Sequence, residues 1–145
     1  IETTRGLVEL NAGREEEALR RFEAAVAADG RDPMALYYRG VTRGRRGDLD
    51  GAIVDLQAAL RERPDLTRAS LELGAALLRA DRPAEAAPQF AAARRDPELA
   101  GRATLFEGIA RLRMGEDDAA DALLREAGGE ADQHLAATYY RGVVE

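Results

Sequence analysis

The sequence contains no cysteine, no lysine and no tryptophan, and its aromatic content is only 5%. Without cysteine the chain forms neither disulfides nor thiolate metal sites. Cysteine usage therefore does not indicate whether the protein resides in an oxidising or a reducing compartment. The scarcity of large aromatic and β-branched residues favours close-packed helices over sheets. No apolar run approaches the roughly 20 residues that a membrane-spanning helix requires. The missing residues therefore predict an all-α protein without a membrane span.

The remaining composition is that of an ordinary globular chain. Its 145 residues are 46% hydrophobic and 33% charged, which suits one domain with a buried core. With 27 acids against 21 bases the net charge is −6, which disfavours a general nucleic-acid or anionic-membrane binder. The chain starts at Ile1 without a methionine and ends within an amphipathic stretch, so we expect a piece of a longer protein. The cytoplasm and the periplasm both stay open as its compartment.

Small residues recur along the chain with a fixed spacing. Five glycines are each separated by 34 residues: Gly6, Gly40, Gly74, Gly108 and Gly142. At 12 and 19 residues after the first four glycines the chain always carries alanine, at Ala18, Ala25, Ala52, Ala59, Ala86, Ala93, Ala120 and Ala127. Between the two alanines of each unit lies a large apolar residue: Phe22, Leu56, Phe90 or Leu124. A period of this length predicts an array of structural repeats.

Each unit contains two segments of helical periodicity, separated by a break that holds Gly13, Gly47, Asp81 or Gly115. Pro88 is expected to bend its helix or to delay its start. The first helices are predicted near 2–11, 34–46, 67–80 and 99–114, the second helices near 15–28, 49–62, 84–95 and 117–127, and a ninth helix near 132–145.

The recurring small residues have a physical explanation in packing. A glycine within a helix costs about 1 kcal/mol relative to alanine, so its repetition implies a neighbour that comes too close for a side chain. We expect that neighbour to be the second helix of the same unit. The alanines and the large apolar residue between them would form the matching face.

This pattern resembles the tetratricopeptide repeat family, which has a 34-residue helix-turn-helix with a small residue in the first helix and small, large, small residues in the second. The second unit matches best, at Gly40, Gly47, Ala52, Leu56, Ala59, Leu60 and Pro64. The family's first-helix aromatic residues are replaced, at one position by Leu36, Ser70, Thr104 and Thr138, and at the other by Glu9, Arg43, Leu77 and Arg111. The resemblance implies a right-handed α-α solenoid of about four repeats, at 1–32, 33–66, 67–100 and 101–134, with 135–145 belonging to a fifth.

The inventory of catalytic residue types is nearly empty. The only serine is Ser70 and the only histidine is His134, which is expected to be a solvated residue at a helix start. Acidic runs at 15–17 and 116–118 open second helices, where negative charge suits the helix dipole, and they lack the spacing of a calcium loop. The glycine-rich stretch at 40–47 lacks both the lysine and the preceding strand of a P-loop. We predict no catalytic residue, no metal and no cofactor.

A binding surface is predicted on the concave face, which the first helices of such a solenoid line. The residues three before, one after and four after each glycine should point there, and most of them are apolar. This apolar stripe consists of Thr3, Leu7 and Leu10, then Tyr37, Val41 and Gly44, then Leu71, Ala75 and Leu78, then Leu105, Ile109 and Leu112, and finally Tyr139 and Val143. The stripe is either an exposed hydrophobic binding surface or packing between neighbouring first helices.

Basic residues accompany the stripe, five positions after or six before the glycines. This arginine set consists of Arg45, Arg68, Arg79, Arg102 and Arg113, with Glu72 as the main opposing acid. Acids on the second helices should make the outer surface negative: Glu23, Asp50, Asp55, Glu85, Asp121 and Glu126. The set either solubilises the surface or binds carboxylates of a partner. In the second case, replacing Arg79 and Arg113 by glutamate should weaken an acidic partner without affecting folding.

Three functions stay open at this point. The first is a non-catalytic interaction scaffold whose groove binds a peptide or protein with apolar and acidic residues. The second is self-assembly into homo-oligomers through stacked repeat ends. The third is a binder of RNA or another polyanion, supported by the arginine set but opposed by net charge and few aromatics. Binding of terminal carboxylates through lysine and asparagine, as in some relatives, is disfavoured because tyrosine and aliphatic residues occupy those positions.

Overall fold

The computed structural model describes residues 1–128, and in this part of the chain turns and loops connect helices, without any strand. Eight helices follow one another in it: α1 (Glu2–Asn11), α2 (Glu15–Ala28), α3 (Pro33–Arg45), α4 (Leu49–Glu62), α5 (Thr67–Arg79), α6 (Pro83–Ala93), α7 (Ala100–Arg113) and α8 (Asp117–Ala127). The predicted all-α fold is confirmed, and helix bounds agree within about two residues. The predicted ninth helix lies outside the described residues.

The turns inside the helix pairs follow the predicted breaks. Gly13, Gly47 and Gly115 have φ angles of 80°, 88° and 77°, a region that glycine occupies without a steric penalty. Asp81 takes the same place in the third pair with a φ of 59°, and aspartate is among the few other residues that tolerate it. Pro88 lies inside α6 without delaying its start, because that helix already begins at Pro83.

The glycines of the 34-residue period lie where the second helix comes closest. A Cβ atom added to Gly74 would lie 2.7 Å from Cε1 of Phe90, and one added to Gly40 would lie 3.0 Å from Cγ of Leu56. Both partners are the large apolar residues between the paired alanines, and they are almost fully buried. The packing predicted from the spacing is therefore confirmed in these pairs.

The helix pairs stack into an α-α solenoid. Each second helix packs on the first helix of the next pair, and successive first helices also contact one another. Within residues 1–128, successive second helices make no contact with each other. The second helices therefore spread apart, and α1, α3, α5 and α7 line the inner, concave side.

Asp55 departs from the expectation that the acids of the second helices lie on the outer surface. Its side chain is buried within the second helix pair. It accepts hydrogen bonds from Nε and Nη2 of Arg39, at 2.9 and 2.8 Å, and from Nη1 of Arg43, at 2.9 Å. A buried carboxylate requires such charged partners. Asp55 is thus part of the core.

Candidate functional site

Part of the apolar stripe on the concave face is buried rather than exposed. Five of its members are less than 10% exposed and belong to the hydrophobic core, namely Tyr37, Leu71, Leu78, Leu105 and Ile109. Val41, Ala75 and Leu112 are half-buried. Of the two alternatives for the stripe, packing between neighbouring first helices therefore applies to these five residues. Tyr139 lies outside the described residues, and a partner contact by any of these residues stays a prediction.

All five members of the arginine set are exposed. Of these five, only Arg45 forms an ion pair with another residue of the range 1–128, namely with a carboxylate oxygen of Glu15 at 4.0 Å. Among the described residues outside the set, the arginines without an ion pair are Arg46, Arg61 and Arg95, and all the others have an acidic partner. Unpaired guanidinium groups are therefore concentrated on the concave face.

Two members of the set bind the backbone of the preceding first helix. Nη1 of Arg79 donates to the carbonyl oxygen of Gly44 at 3.1 Å, and Nη1 of Arg113 donates to that of Leu78 at 2.9 Å. Both carbonyls belong to the last turn of a helix, where carbonyl groups lack helical partners and carry partial negative charge. These two side chains thus connect α3 to α5 and α5 to α7.

Arg68 and Arg102 lie at the opposite end of the same helices. They line a cavity of about 380 Å³, together with Tyr37, Leu71, Glu72, Glu98 and Leu99. Both arginines lie in the first turn of their helices, which contains no acidic residue. Cations are unfavourable at this positive end of the helix dipole, so folding alone does not explain their position. The sequence interpretation missed Glu98 and Leu99, although their place just before α7 and Arg102 was a signal that could have found them.

Glu72 lies between the two ends of the concave face and is half-buried. Burial raises its pKa above the ordinary glutamate value, and the charges of Arg102 and Arg45 counteract part of that shift. Burial also raises the pKa of Tyr37 to about 12, with a further contribution from the charge of Glu72. The Tyr37 hydroxyl therefore stays protonated at neutral pH and can donate a hydrogen bond.

A second cavity, of about 100 Å³, lies nearer the C-terminal ends of α3 and α5. Its apolar lining comes from three successive helices, and charged residues border it. The lining residues are Gly40, Val41, Gly44, Arg45, Ala52, Leu56, Glu72, Ala75, Ala76 and Arg79. We call it the Gly44 cavity. The concave face thus combines exposed guanidinium groups with one small recess that has aliphatic walls and charged borders.

The described part of the chain offers little for catalysis. Ser70 is buried within α5, and His134 lies outside the described residues. Between residues 1 and 128 no three acidic or histidine side chains come together as metal ligands would. In the same range, every helix is too short or too polar to cross a bilayer. The chemistry available on the concave face is binding through charge, hydrogen bonds and apolar contact.

A family model for the tetratricopeptide repeat matches the chain twice, at residues 3–67 and 42–100. The two overlapping matches cover more than half of the 145 residues. They include the glycine, the paired alanines and the large apolar residue of the first two units, which carried the resemblance at the sequence level. No curated protein matches the sequence.

Solved structures of similar fold cover between 78% and 99% of the chain. YrrB, a TPR protein with an unusual peptide-binding site, gives a TM-score of 0.88 at 21% identity, over 99% of this chain and 74% of YrrB. Residues 41 to the end of MamA from Desulfovibrio magneticus RS-1 give 0.80 at 23% identity, over 99% and 90% of the two chains. The Yersinia enterocolitica secretion chaperone SycD, in complex with a peptide of the translocator YopD, gives 0.72 at 20% identity, over 78% and 92%. At these identities the similarity shows the fold.

Proposed function

The chain belongs to the tetratricopeptide repeat family, and we propose that it is a non-catalytic protein-interaction module whose concave groove binds a peptide segment with acidic and aliphatic residues. Peptide binding by proteins of the same fold supports this class of function, since YrrB has a peptide-binding site and SycD binds a peptide of YopD. The ligand chemistry is inferred from the residues of this chain alone.

The observation that carries the proposal is the set of arginines without acidic partners on the concave face. Arg68, Arg79, Arg102 and Arg113 form no ion pair within the described residues, whereas most arginines elsewhere in that part do. A guanidinium group binds a carboxylate through two parallel hydrogen bonds, which gives both affinity and a defined orientation. Glu72 and Glu98 lie on the same face, so the groove is mixed in charge, with arginines in excess.

Arg68 and Arg102 are the best candidates for direct contact with a partner. Neither hydrogen-bonds another residue of the described chain, and both line the 380 Å³ cavity. A carboxylate bound there would meet two guanidinium groups near the N-terminal ends of α5 and α7, where the helix dipoles also favour negative charge. The apolar lining residues Leu71 and Leu99 would accommodate the adjacent part of the peptide.

The test is a selection of short random peptides displayed on phage against the wild-type protein. The bound peptides are then synthesised with a fluorophore, and their Kd is measured by anisotropy. We expect enrichment in aspartate and glutamate. The double change Arg68→Glu and Arg102→Glu should raise the Kd about tenfold or more, because each lost charged hydrogen bond is worth roughly 1.5–3 kcal/mol.

A matched control is the double change Arg61→Glu and Arg95→Glu. These arginines are also exposed and unpaired, and the change in net charge is the same, but they lie outside the concave face, on α4 and just after α6. We expect this control to alter the Kd by less than about threefold, which corresponds to roughly 0.6 kcal/mol. If both double variants weaken binding equally, the effect is due to net charge and not to contacts of Arg68 and Arg102. Groove binding would be refuted if no peptide is selected, or if the selected peptides bind both double variants with the same Kd as the wild-type protein.

A further inference from the structure

The junction between the second and third helix pairs lacks an aromatic pair that the flanking junctions have. Phe22 of α2 stacks on Tyr38 of α3 with ring centroids 5.6 Å apart, and Phe90 of α6 stacks on Phe106 of α7 at 5.5 Å. At the positions 34 residues from these pairs, the intermediate junction has Leu56 on α4 and Glu72 on α5. Both of these residues line the Gly44 cavity.

Two further residues at this junction are smaller than their equivalents. Four residues after the repeat glycine, the first helices carry leucine in the other described pairs, at Leu10, Leu78 and Leu112, but Gly44 in the second pair. One residue after the glycine they carry Leu7, Val41 and Ile109, but Ala75 in the third pair. Gly44 and Ala75 line the same cavity from opposite helices. The recess exists because side chains that fill the equivalent positions are missing here.

Packing does not require a glycine at position 44. A Cβ atom added there would meet only the Cβ of Ala52, at 3.6 Å, an ordinary contact distance. By contrast, a Cβ atom added to Gly40 in the same helix would lie 3.0 Å from Cγ of Leu56 and 3.1 Å from Cβ of Asp55. The φ angle of Gly44 is not positive either. Neither close packing nor a left-handed conformation therefore accounts for the missing side chain at position 44.

We propose that the Gly44 cavity is a specificity pocket that takes one branched aliphatic side chain, of leucine, isoleucine or valine, from the bound peptide. This inference rests on the proposed function and adds to it the residue that the groove selects. The guest side chain would occupy the space left by Gly44 and Ala75, against Val41, Leu56 and Ala76. Its burial would supply apolar contact that the exposed arginines cannot give.

The volume of the cavity and the charged residues around it determine which side chain of the peptide it can bind. Its volume of about 100 Å³ is below the roughly 150 Å³ of an apolar cavity that binds benzene, so the recess favours a branched aliphatic side chain over phenylalanine. Two arginines, Arg45 and Arg79, and one acid, Glu72, border the cavity, so positive charge is in excess and a cationic side chain such as lysine is disfavoured. A carboxylate next to the aliphatic residue would meet the same guanidinium groups favourably.

The experiment uses the peptides selected against the wild-type protein, with anisotropy as the readout. Two variants fill the cavity from opposite sides: Gly44→Leu and Ala75→Ile, which introduce the residue types found at the equivalent positions of other pairs. Each should raise the Kd at least tenfold. Exchanging the aliphatic residue of the peptide for glycine should cause a similar loss on the wild-type protein, but little further loss on Gly44→Leu.

Ala91→Leu is the matched control, because it adds an aliphatic side chain of the same size at an exposed position of α6, a second helix outside the cavity. Its Kd should stay within about threefold of the wild-type value. Circular dichroism and thermal melts of all three variants verify the fold, and having two filling variants guards against one that fails to fold.

The outcomes separate this pocket from the proposed function. Peptides that lose affinity with Arg68→Glu and Arg102→Glu but bind both filling variants as well as wild type would overturn the pocket and leave the groove function intact. Selected peptides that share lysine or an aromatic residue, instead of an aliphatic one, would also overturn it. If the peptides bind the arginine variants and the cavity-filling variants with the same Kd as the wild-type protein, both proposals are wrong.

Discussion

Replacing Gly74 by alanine tests whether the repeat glycines are required by close helix packing. The added Cβ atom would lie 2.7 Å from Cε1 of Phe90 and 2.9 Å from its Cδ1 and Cζ atoms. Phe90 cannot move aside easily, because its side chain is fully buried and its ring stacks on Phe106. Such overpacking typically costs 1–3 kcal/mol, against a gain of about 1 kcal/mol in helix propensity. We therefore expect a net destabilisation of about 1 kcal/mol, and several kcal/mol for Gly74→Leu.

Gly44→Ala provides the comparison within the same fold. Its added methyl group meets only Cβ of Ala52 at 3.6 Å, so the propensity gain should appear without a packing cost. The propensity gain should be smaller at Gly44, in the last turn of α3, than at Gly74 in the middle of α5, so the two variants should differ in stability by about 1–2 kcal/mol. Urea unfolding followed by circular dichroism measures this difference. In thermal melts it corresponds to about 3 °C per kcal/mol for a chain of this size.

The two alanine substitutions are expected to change the stability of the protein in opposite directions. If Gly74→Ala stabilises the protein as much as Gly44→Ala, the glycine is not needed for the approach of Phe90. A Gly74→Leu variant that melts with the wild-type protein would refute the packing explanation of the 34-residue period altogether.

Two further predictions concern the charged residues of the helix pairs. Asp55→Ala should destabilise the protein by about 3–5 kcal/mol in urea unfolding, because it leaves Arg39 and Arg43 partly buried without their carboxylate; Glu85→Ala, which removes an exposed ion pair, should change little, and equal effects would contradict the buried network. Glu72→Gln should raise the Tm near pH 7. Burial raises the pKa of Glu72 in the folded state above its unfolded value, so ionisation of Glu72 destabilises the fold, and the penalty is complete once the pH exceeds the folded pKa. This advantage should vanish below the ordinary glutamate value of 4.5, and an advantage independent of pH would contradict the assignment to ionisation.

The fold could be predicted because its determinants are local and repeat. One glycine phase, two alanine phases and one large apolar position gave the helix pairs, and the breaks at Gly13, Gly47 and Gly115 gave the turns. Even Asp81, the exception among the breaks, adopts the left-handed conformation of the glycines it replaces. Errors at helix ends amount to one or two residues, the usual uncertainty of helix ends.

The concave face was less predictable, because burial there depends on the distance between helices of different repeats. Periodicity shows which way Leu105 and Ile109 point along α7, but not that α5 lies close enough to cover them. Asp55 was expected on the outer surface for a different reason, because the pattern of α4 alone does not reveal its partners Arg39 and Arg43 on the other helix of the same pair. The Gly44 cavity likewise depends on small residues from two different repeats, whose proximity the sequence pattern does not give.

The two functions of arginine on the concave face decide which variants report on binding. Arg79 and Arg113 resemble partner-binding residues by their period and exposure, yet each donates a hydrogen bond to the preceding first helix. Their replacement by glutamate would remove both bonds and place negative charge beside the partially negative carbonyl ends of α3 and α5. A loss of partner binding in that variant would therefore mix altered helix packing with lost contacts. Within residues 1–128 the side chains of Arg68 and Arg102 donate no hydrogen bond to another helix, so their replacement leaves these connections intact. Because the charge of Arg102 also acts on half-buried Glu72, equal melting temperatures of the double variant and the wild-type protein are needed before a loss of binding is assigned to recognition in the groove.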